Sequence, residues 1–163
     1  MSGQKKEGFQ PFANADSRLL ILGSFPSVKS RDTGFYYGNP RNAFWKTLAG
    51  FFKDGLPTTI KEKQEFLTKR KIALWDIVTL CEIHASSDST IKNFSVADIK
   101  SLLKVCPIEK IILNGGKAYE IFLKYYSDIG VPYKKLCSTS PANTRFDYKE
   151  WYDELYSTFG PTQ

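Results

Sequence analysis

Residues 19–45, LLILGSFPSVKSRDTGFYYGNPRNAFW, decide how this chain is read. The stretch opens as an unbroken apolar run that stops at Gly23, the form of a short strand buried on both faces of a sheet. A polar and aromatic loop follows, and Pro40 leads into an amphipathic helix. There Phe44, Trp45, Leu48, Phe51 and Phe52 fall at i, i+1, i+4, i+7 and i+8, one helical face. In an alternating α/β chain such a loop lies at the carboxyl end of a strand, where open sheets bind ligands. Phe35, Tyr36 and Tyr37 are consecutive aromatics that cannot all face one core, so at least one points into a pocket or solvent. Lys29 and Arg31 flank them. Flat stacking faces beside positive charge suit an unpaired base and its phosphates.

Outward from this unit the alternation repeats. Residues 18–22 are the first strand, and residues 60–69 form a very charged second helix after Gly55 and Pro57. Residues 72–75 are the second strand, ending in Asp76, and a long polar connection spans 81–93. Ser95 and Asp98 have capping-box spacing and start a helix that ends near Pro107. Residues 108–113 form a third strand, which Asn114-Gly115-Gly116 turns directly into a helix over 117–126. Residues 133–137 are a fourth strand, a Ser-Pro loop follows, and a last helix over 148–159 packs back with Trp151, Leu155 and Phe159. The pattern is α/β, a parallel sheet covered on both faces. The expectation is one domain over residues 1–163, with a polar N-terminal arm over 1–16. The Gly23 loop, Asp76, the Gly115 turn and the Ser140 loop all follow strands, so they should gather at one end of the sheet.

Composition narrows the function classes. The chain has 163 residues, 42% hydrophobic and 25% charged, with a net charge of +6 and a pI near 9.1. A basic balance fits a polyanionic partner. No run approaches the roughly 18 apolar residues of a membrane span, and no secretory signal opens the sequence. Cys81, Cys106 and Cys137 are far apart and form no C-x-x-C pair, which argues against a disulfide framework, a zinc site or an iron–sulfur site. One histidine, His84, disfavours a catalytic triad, and a phosphate-binding G-x-x-x-x-G-K-[ST] loop is missing. These features predict a reduced, cytoplasmic chain that needs no metal, cofactor or membrane.

The quoted stretch resembles the first motif region of the uracil-DNA glycosylase superfamily. It is nearest the mismatch-specific branch, and nearer still the hypoxanthine-DNA glycosylase branch. The matching residues are Gly23-Ser24-Phe25-Pro26 and the run Thr33-Gly34-Phe35-Tyr36-Tyr37-Gly38-Asn39-Pro40-Arg41-Asn42-Ala43-Phe44-Trp45; Ser138-Thr139-Ser140-Pro141-Ala142-Asn143 is a later match. The resemblance runs from about Gly8 to the last helix. It implies a three-layer α/β/α sandwich around a four-stranded parallel sheet in the order 2-1-3-4. It also implies a monomer acting on DNA that contains a damaged base.

A glycosylase extrudes one nucleotide, holds the base by edge and face, and hydrolyses its bond to C1′. Relatives carry Asp or Asn where this chain has Phe25, which cannot orient water. The hypoxanthine branch shares that departure and uses an Asn at the position of Asn39, which makes Asn39 the catalytic candidate. An amide cannot act as an effective base, but it fixes a water by accepting a hydrogen bond from it. Its alternative is a turn-forming Asn before Pro40. Tyr37 aligns with the aromatic that stacks on the extruded base, its alternative being a core position. Asp76 lies where uracil-specific relatives read the base, or else caps a strand end. Gly23, Ser24, Phe25 and Ser140 complete the implied substrate site. Glu82 and Asp88 are further carboxylates, with solvated loop charges as the alternative.

The implied DNA contacts are Lys29, Arg31, Arg41, Gly116, Ser138, Asn143 and Arg145. Gly115-Gly116 before a helix offers backbone N–H groups to a phosphate, although tight strand–helix packing explains the same pair. The Ser138–Asn143 loop matches the segment that presses the minor groove, and a plain Ser-Pro turn is its alternative. Ala142 is too small to wedge a base pair, which shifts that task to Asn143 or Arg145. No lysine stands out as an imine-forming nucleophile. The expected function is a monofunctional DNA glycosylase for a deaminated base, hypoxanthine first and uracil second. The competing readings are a non-catalytic nucleic-acid-binding α/β module and a small-molecule hydrolase on a flavodoxin-like sheet.

Overall fold

A computed structural model of the chain describes residues 4–83 and 91–161. In chain order the elements are β1 (Gln4–Glu7), β2 (Leu19–Gly23), α1 (Val28–Thr33), α2 (Phe44–Phe52), α3 (Ile60–Arg70), β3 (Ile72–Asp76) and β4 (Val78–Ile83). Then come β5 (Ile91–Val96), α4 (Ile99–Val105), β6 (Lys110–Asn114), α5 (Gly116–Tyr126), β7 (Tyr133–Leu136) and α6 (Tyr148–Phe159). Strands β3-β2-β6-β7 form a four-stranded parallel sheet, the expected 2-1-3-4 order.

Alternation along β2 assigns the two faces. Leu19 and Ile21 point into one apolar cluster with α2, α3 and α6. Leu20 and Leu22 point into another with α4, α5 and β4. Every residue of β2 is buried, which is why its sequence shows no polar alternation. The three-layer α/β/α expectation holds. The five apolar residues predicted for one face of α2 are all buried, Phe44 and Leu48 completely.

Three local expectations are corrected. The loop after Gly23 contains α1, capped by the Ser27 hydroxyl, which accepts from Ser30 N, and closed at Gly34 in the left-handed region. Part of the expected polar arm and part of the expected polar connection pair up instead, as the antiparallel sheet β1-β4-β5. The N-cap of α4 is Asp98 itself, accepting from Ser101 N, while Ser95 belongs to β5.

The two edges of the parallel sheet differ. Along β3, Phe12 exchanges both backbone hydrogen bonds with Leu74 at 2.9 Å, and the Trp75 indole donates to Phe9 O. Along β7, Lys134 and Lys135 are exposed, as charged residues on sheet edges often are. Among the described residues no helix is long and apolar enough to cross a membrane.

Candidate active site

β2, β3 and β6 run in register, so Gly23, Asp76 and Asn114 end side by side. Asp76 is only 4% exposed. Gly23 makes room for it: a Cβ there would lie 2.5 Å from Asp76 Oδ1 and 3.1 Å from the Tyr37 hydroxyl. The same spot is therefore within reach of a carboxylate and a phenol.

Tyr37 reaches this floor from an unusual backbone. Its φ is 53°, the left-handed region, which costs a non-glycine residue on the order of 1 kcal/mol or more. Its ring stacks on the buried Phe44 at 4.2 Å and 26°, which covers one ring face. The residue is partly exposed, yet its hydroxyl oxygen is buried. Burial first, and then the Asp76 carboxylate, push the Tyr37 pKa up, with the Asn114 side chain opposing them. The phenol thus keeps its proton at neutral pH. Phe35 and Tyr36 go to the core, the Tyr36 hydroxyl donating to Gln10 O at 2.7 Å. Of the three consecutive aromatics, Tyr37 alone reaches the strand ends.

A second wall comes from the loop after β7. Asn114 Nδ2 donates to Thr139 Oγ1 at 2.9 Å, and Thr139 N donates to Asn114 Oδ1 at 3.0 Å. Thr139 O accepts from Ala43 N at 2.9 Å, tying the loop to the start of α2. From behind, Cys137 N donates to Glu150 Oε1 and the Trp151 indole donates to Cys137 O. Within the loop, Ser138 Oγ and Ser140 Oγ accept from backbone N–H groups two residues on, and Asn143 Nδ2 donates to Ser138 O. Ser138, Ser140 and Asn143 thus hold the loop's shape, and Ala142 and Arg145 stand exposed on it.

The third piece is the turn after Tyr37. Buried Ser30 of α1 accepts from Gly38 N through its hydroxyl at 2.9 Å. Asn39 Oδ1 accepts from Arg41 N at 2.9 Å, and Asn39 O accepts from Asn42 N at 2.8 Å. Asn39 therefore does make the turn, and the turn fixes its amide oxygen. That oxygen has a second lone pair, and the residue is partly exposed.

The other predicted residues scatter around this centre. Phe25 is 9% exposed within the apolar cluster of α4 and α5, with the Arg31 guanidinium 5.6 Å over its ring. The structure thus draws Phe25 into the core instead of the strand-end group. Ser24 is partly exposed beside Gly23; Lys29 and Arg41 are exposed. Gly116 opens α5, with open space where a Cβ would stand. The side chain of Glu82 and all of Asp88 lie outside the described residues, as does His84. Among the described residues no three His, Cys, Asp or Glu side chains are grouped to hold a metal. Sequence reasoning missed Asn114, Thr139 and Ser30. The signal for Asn114 was its place at a strand end, level with Gly23 and Asp76.

Three comparisons bear on this arrangement. The family model of the uracil DNA glycosylase superfamily matches residues 10–159. A hypoxanthine DNA glycosylase of Methanosarcina barkeri is 32% identical over 142 residues, covering 86% of this chain and 90% of its own length. Another of that description, from Methanosarcina acetivorans, is 35% identical over 145 residues with the same coverage. A solution NMR structure of a candidate uracil DNA glycosylase from M. acetivorans superposes with a TM-score of 0.82 at 31% identity, over 96% of this chain and 98% of that one. With a family match along nearly its whole length, and relatives above 30% identity over most of both chains, the chain belongs to the uracil DNA glycosylase superfamily.

Proposed function

We propose that the chain is a monofunctional DNA glycosylase that releases hypoxanthine from deoxyinosine, with uracil as a second substrate, acting as a cytosolic monomer without metal. The observation that carries this reading is the convergence of Asp76, the Tyr37 hydroxyl and Gly23 at the strand ends. An extruded base stacks on the Tyr37 face opposite Phe44. The Asp76 carboxylate accepts from N1–H of hypoxanthine. Adenine presents a bare acceptor at N1, so two lone-pair groups would meet in a dry pocket, at a cost of about 1–3 kcal/mol or more.

Asn39 Oδ1, fixed by Arg41 N, accepts a hydrogen bond from the attacking water with its remaining lone pair and so orients it. Water adds to C1′, the C1′–N9 electrons leave with the base, and the proton surplus neutralises the departing anion. Arg41, Arg145, Lys29 and Arg31 supply charge for phosphates.

The test is single-turnover cleavage of oligonucleotides bearing inosine, uracil or xanthine. Asn39→Ala is expected to bind DNA normally and release base about 10²-fold more slowly, the scale for one preorganised polar group. Asp76→Asn is expected to narrow the gap between hypoxanthine and adenine in binding to the abasic product complex. Base release by Asn39→Ala at the unmutated rate would remove Asn39 from the chemistry. An unmutated protein that releases no damaged base would favour the non-catalytic binding module.

A further inference from the structure

The ridge where α2 and α6 lie side by side carries residues the proposed chemistry does not use. Both helices leave the same end of the sheet and run parallel. Near their starts Phe44 meets Trp151 at 6.1 Å, and near their ends Phe52 meets Phe159 at 5.4 Å. Between these contacts Tyr152 lies across α2: its ring is 5.6 Å from Phe51, and its hydroxyl occupies the space a Cβ on Gly50 would need. One turn back along each helix, Lys46 comes level with Tyr148.

Tyr148 is 51% exposed, and of the three most exposed tyrosines, with Tyr125 and Tyr156, it is the one at the start of α6, beside the loop after β7. It makes an edge-to-face contact with Tyr152, at 5.1 Å and 74°. Exposed Lys46, Lys149 and Arg145 lie on the same helix starts and the loop that feeds them. The nearby acids are committed: Asp147 caps α6 by accepting from Lys149 N, and Glu150 accepts from Cys137 N. Asp153 lies one turn beyond Lys149 on the same face of α6 and is exposed, the one acid set against this cation along the helix. The ridge is continuous with the candidate site, because the loop ending at Arg145 runs into α6 and Thr139 O accepts from Ala43 N just before α2.

We infer that this ridge, with Tyr148 as its stacking face and Lys46, Lys149 and Arg145 around it, binds the unpaired strand that flanks the base in the site. The inference rests on the reading of the protein as DNA-binding. The ligand class follows from the combination. Exposed cations suit a phosphate chain, and an exposed ring suits the face of an unpaired base. In a duplex the base faces are covered by their neighbours, so the ring has nothing to stack on. The structure therefore points to a preference for single-stranded flanks.

The experiment is fluorescence anisotropy with undamaged oligothymidylate and with an undamaged duplex of equal length. It uses the unmutated protein, Tyr148→Ala and Tyr148→Phe. Stacking of one base predicts a loss of about tenfold in oligothymidylate affinity for Tyr148→Ala. Tyr148→Phe keeps the ring and should keep the affinity, and duplex binding should not change in either variant. Equal oligothymidylate affinity in Tyr148→Ala and the unmutated protein would overturn the inference. So would an equal loss on duplex, or Tyr148→Phe behaving like Tyr148→Ala. Undamaged DNA needs no base release, so this outcome is independent of whether the protein proves to be a glycosylase.

Discussion

The strand ends and the Asn39 turn both present polar groups, but they hold them by opposite means. At the strand ends the partners are far apart in sequence: Asn114 and Thr139 are 25 positions apart, and Gly23 leaves space for an Asp76 brought in by a neighbouring strand. At the turn, Asn39 is fixed by Arg41 two residues on. Glu62 shows the same local economy, forming a capping box with Thr59 at the start of α3. Groups of the first kind are as rigid as the sheet and disturb it when altered. Groups of the second kind can change chemistry while the fold stays as it was. Asn39→Ala should therefore lose base release with a stability change within about 0.5 kcal/mol.

The sharpest way to break this contrast is Gly23→Ala. Its methyl would crowd both Asp76 Oδ1 and the Tyr37 hydroxyl. Base release should fall by about 10²-fold, as for other misplacements near 1 Å. Thermal unfolding should show a destabilisation of about 1–3 kcal/mol from overpacking. A variant with unmutated rate and stability would mean the strand ends are softer than the packing implies.

Asn114→Ala comes next. It strips Thr139 N of its acceptor in a buried setting, and denaturant unfolding should register a loss on the order of 1–3 kcal/mol. No loss would show that the bonds to Ala43, Glu150 and Trp151 hold the loop after β7 without the Asn114 amide.

The smallest effect belongs to Glu62. Backbone hydrogen bonds from Thr59 and then Thr58 bring its pKa down to about 2. Its ionised form therefore supports the fold above the ordinary carboxylate pKa, and that support fades as pH falls towards about 2. Glu62→Gln should lower Tm slightly at neutral pH, and the gap to the unmutated protein should close in strong acid. A gap as wide at pH 2 as at neutral pH would contradict a charge-based cap.

The same contrast explains what the amino-acid order made legible. Buried parallel strands announce themselves as continuous apolar runs, and the face of α2 as a period, so a parallel sheet between two helix layers was legible, while the strand order came only with the family resemblance. The six residues of α1 carry no such period; its cap is a serine pair that reads equally as loop. β1 holds Lys5 and Lys6 on a sheet edge, where a strand needs little apolar content. β4 and β5 lie in a stretch that reads as a polar connection. At the site, Asn39 and Tyr37 stood out because both lie in one contiguous motif, residues 33–45. Asn114, Thr139 and Ser30 did not, because each acquires its partner only through tertiary packing.

The Phe12–Leu74 pairing along β3 has a consequence for the order in which the molecule is made. The ribosome delivers residues 9–12 well before Ile72–Asp76, since synthesis runs from the N-terminus. When the outer strand of the parallel sheet emerges, the segment that closes its edge is already waiting upstream. The opposite edge, β7, is delivered after the other three strands of its sheet, and among the described residues no later strand covers it. Its two exposed lysines guard it from the moment it forms.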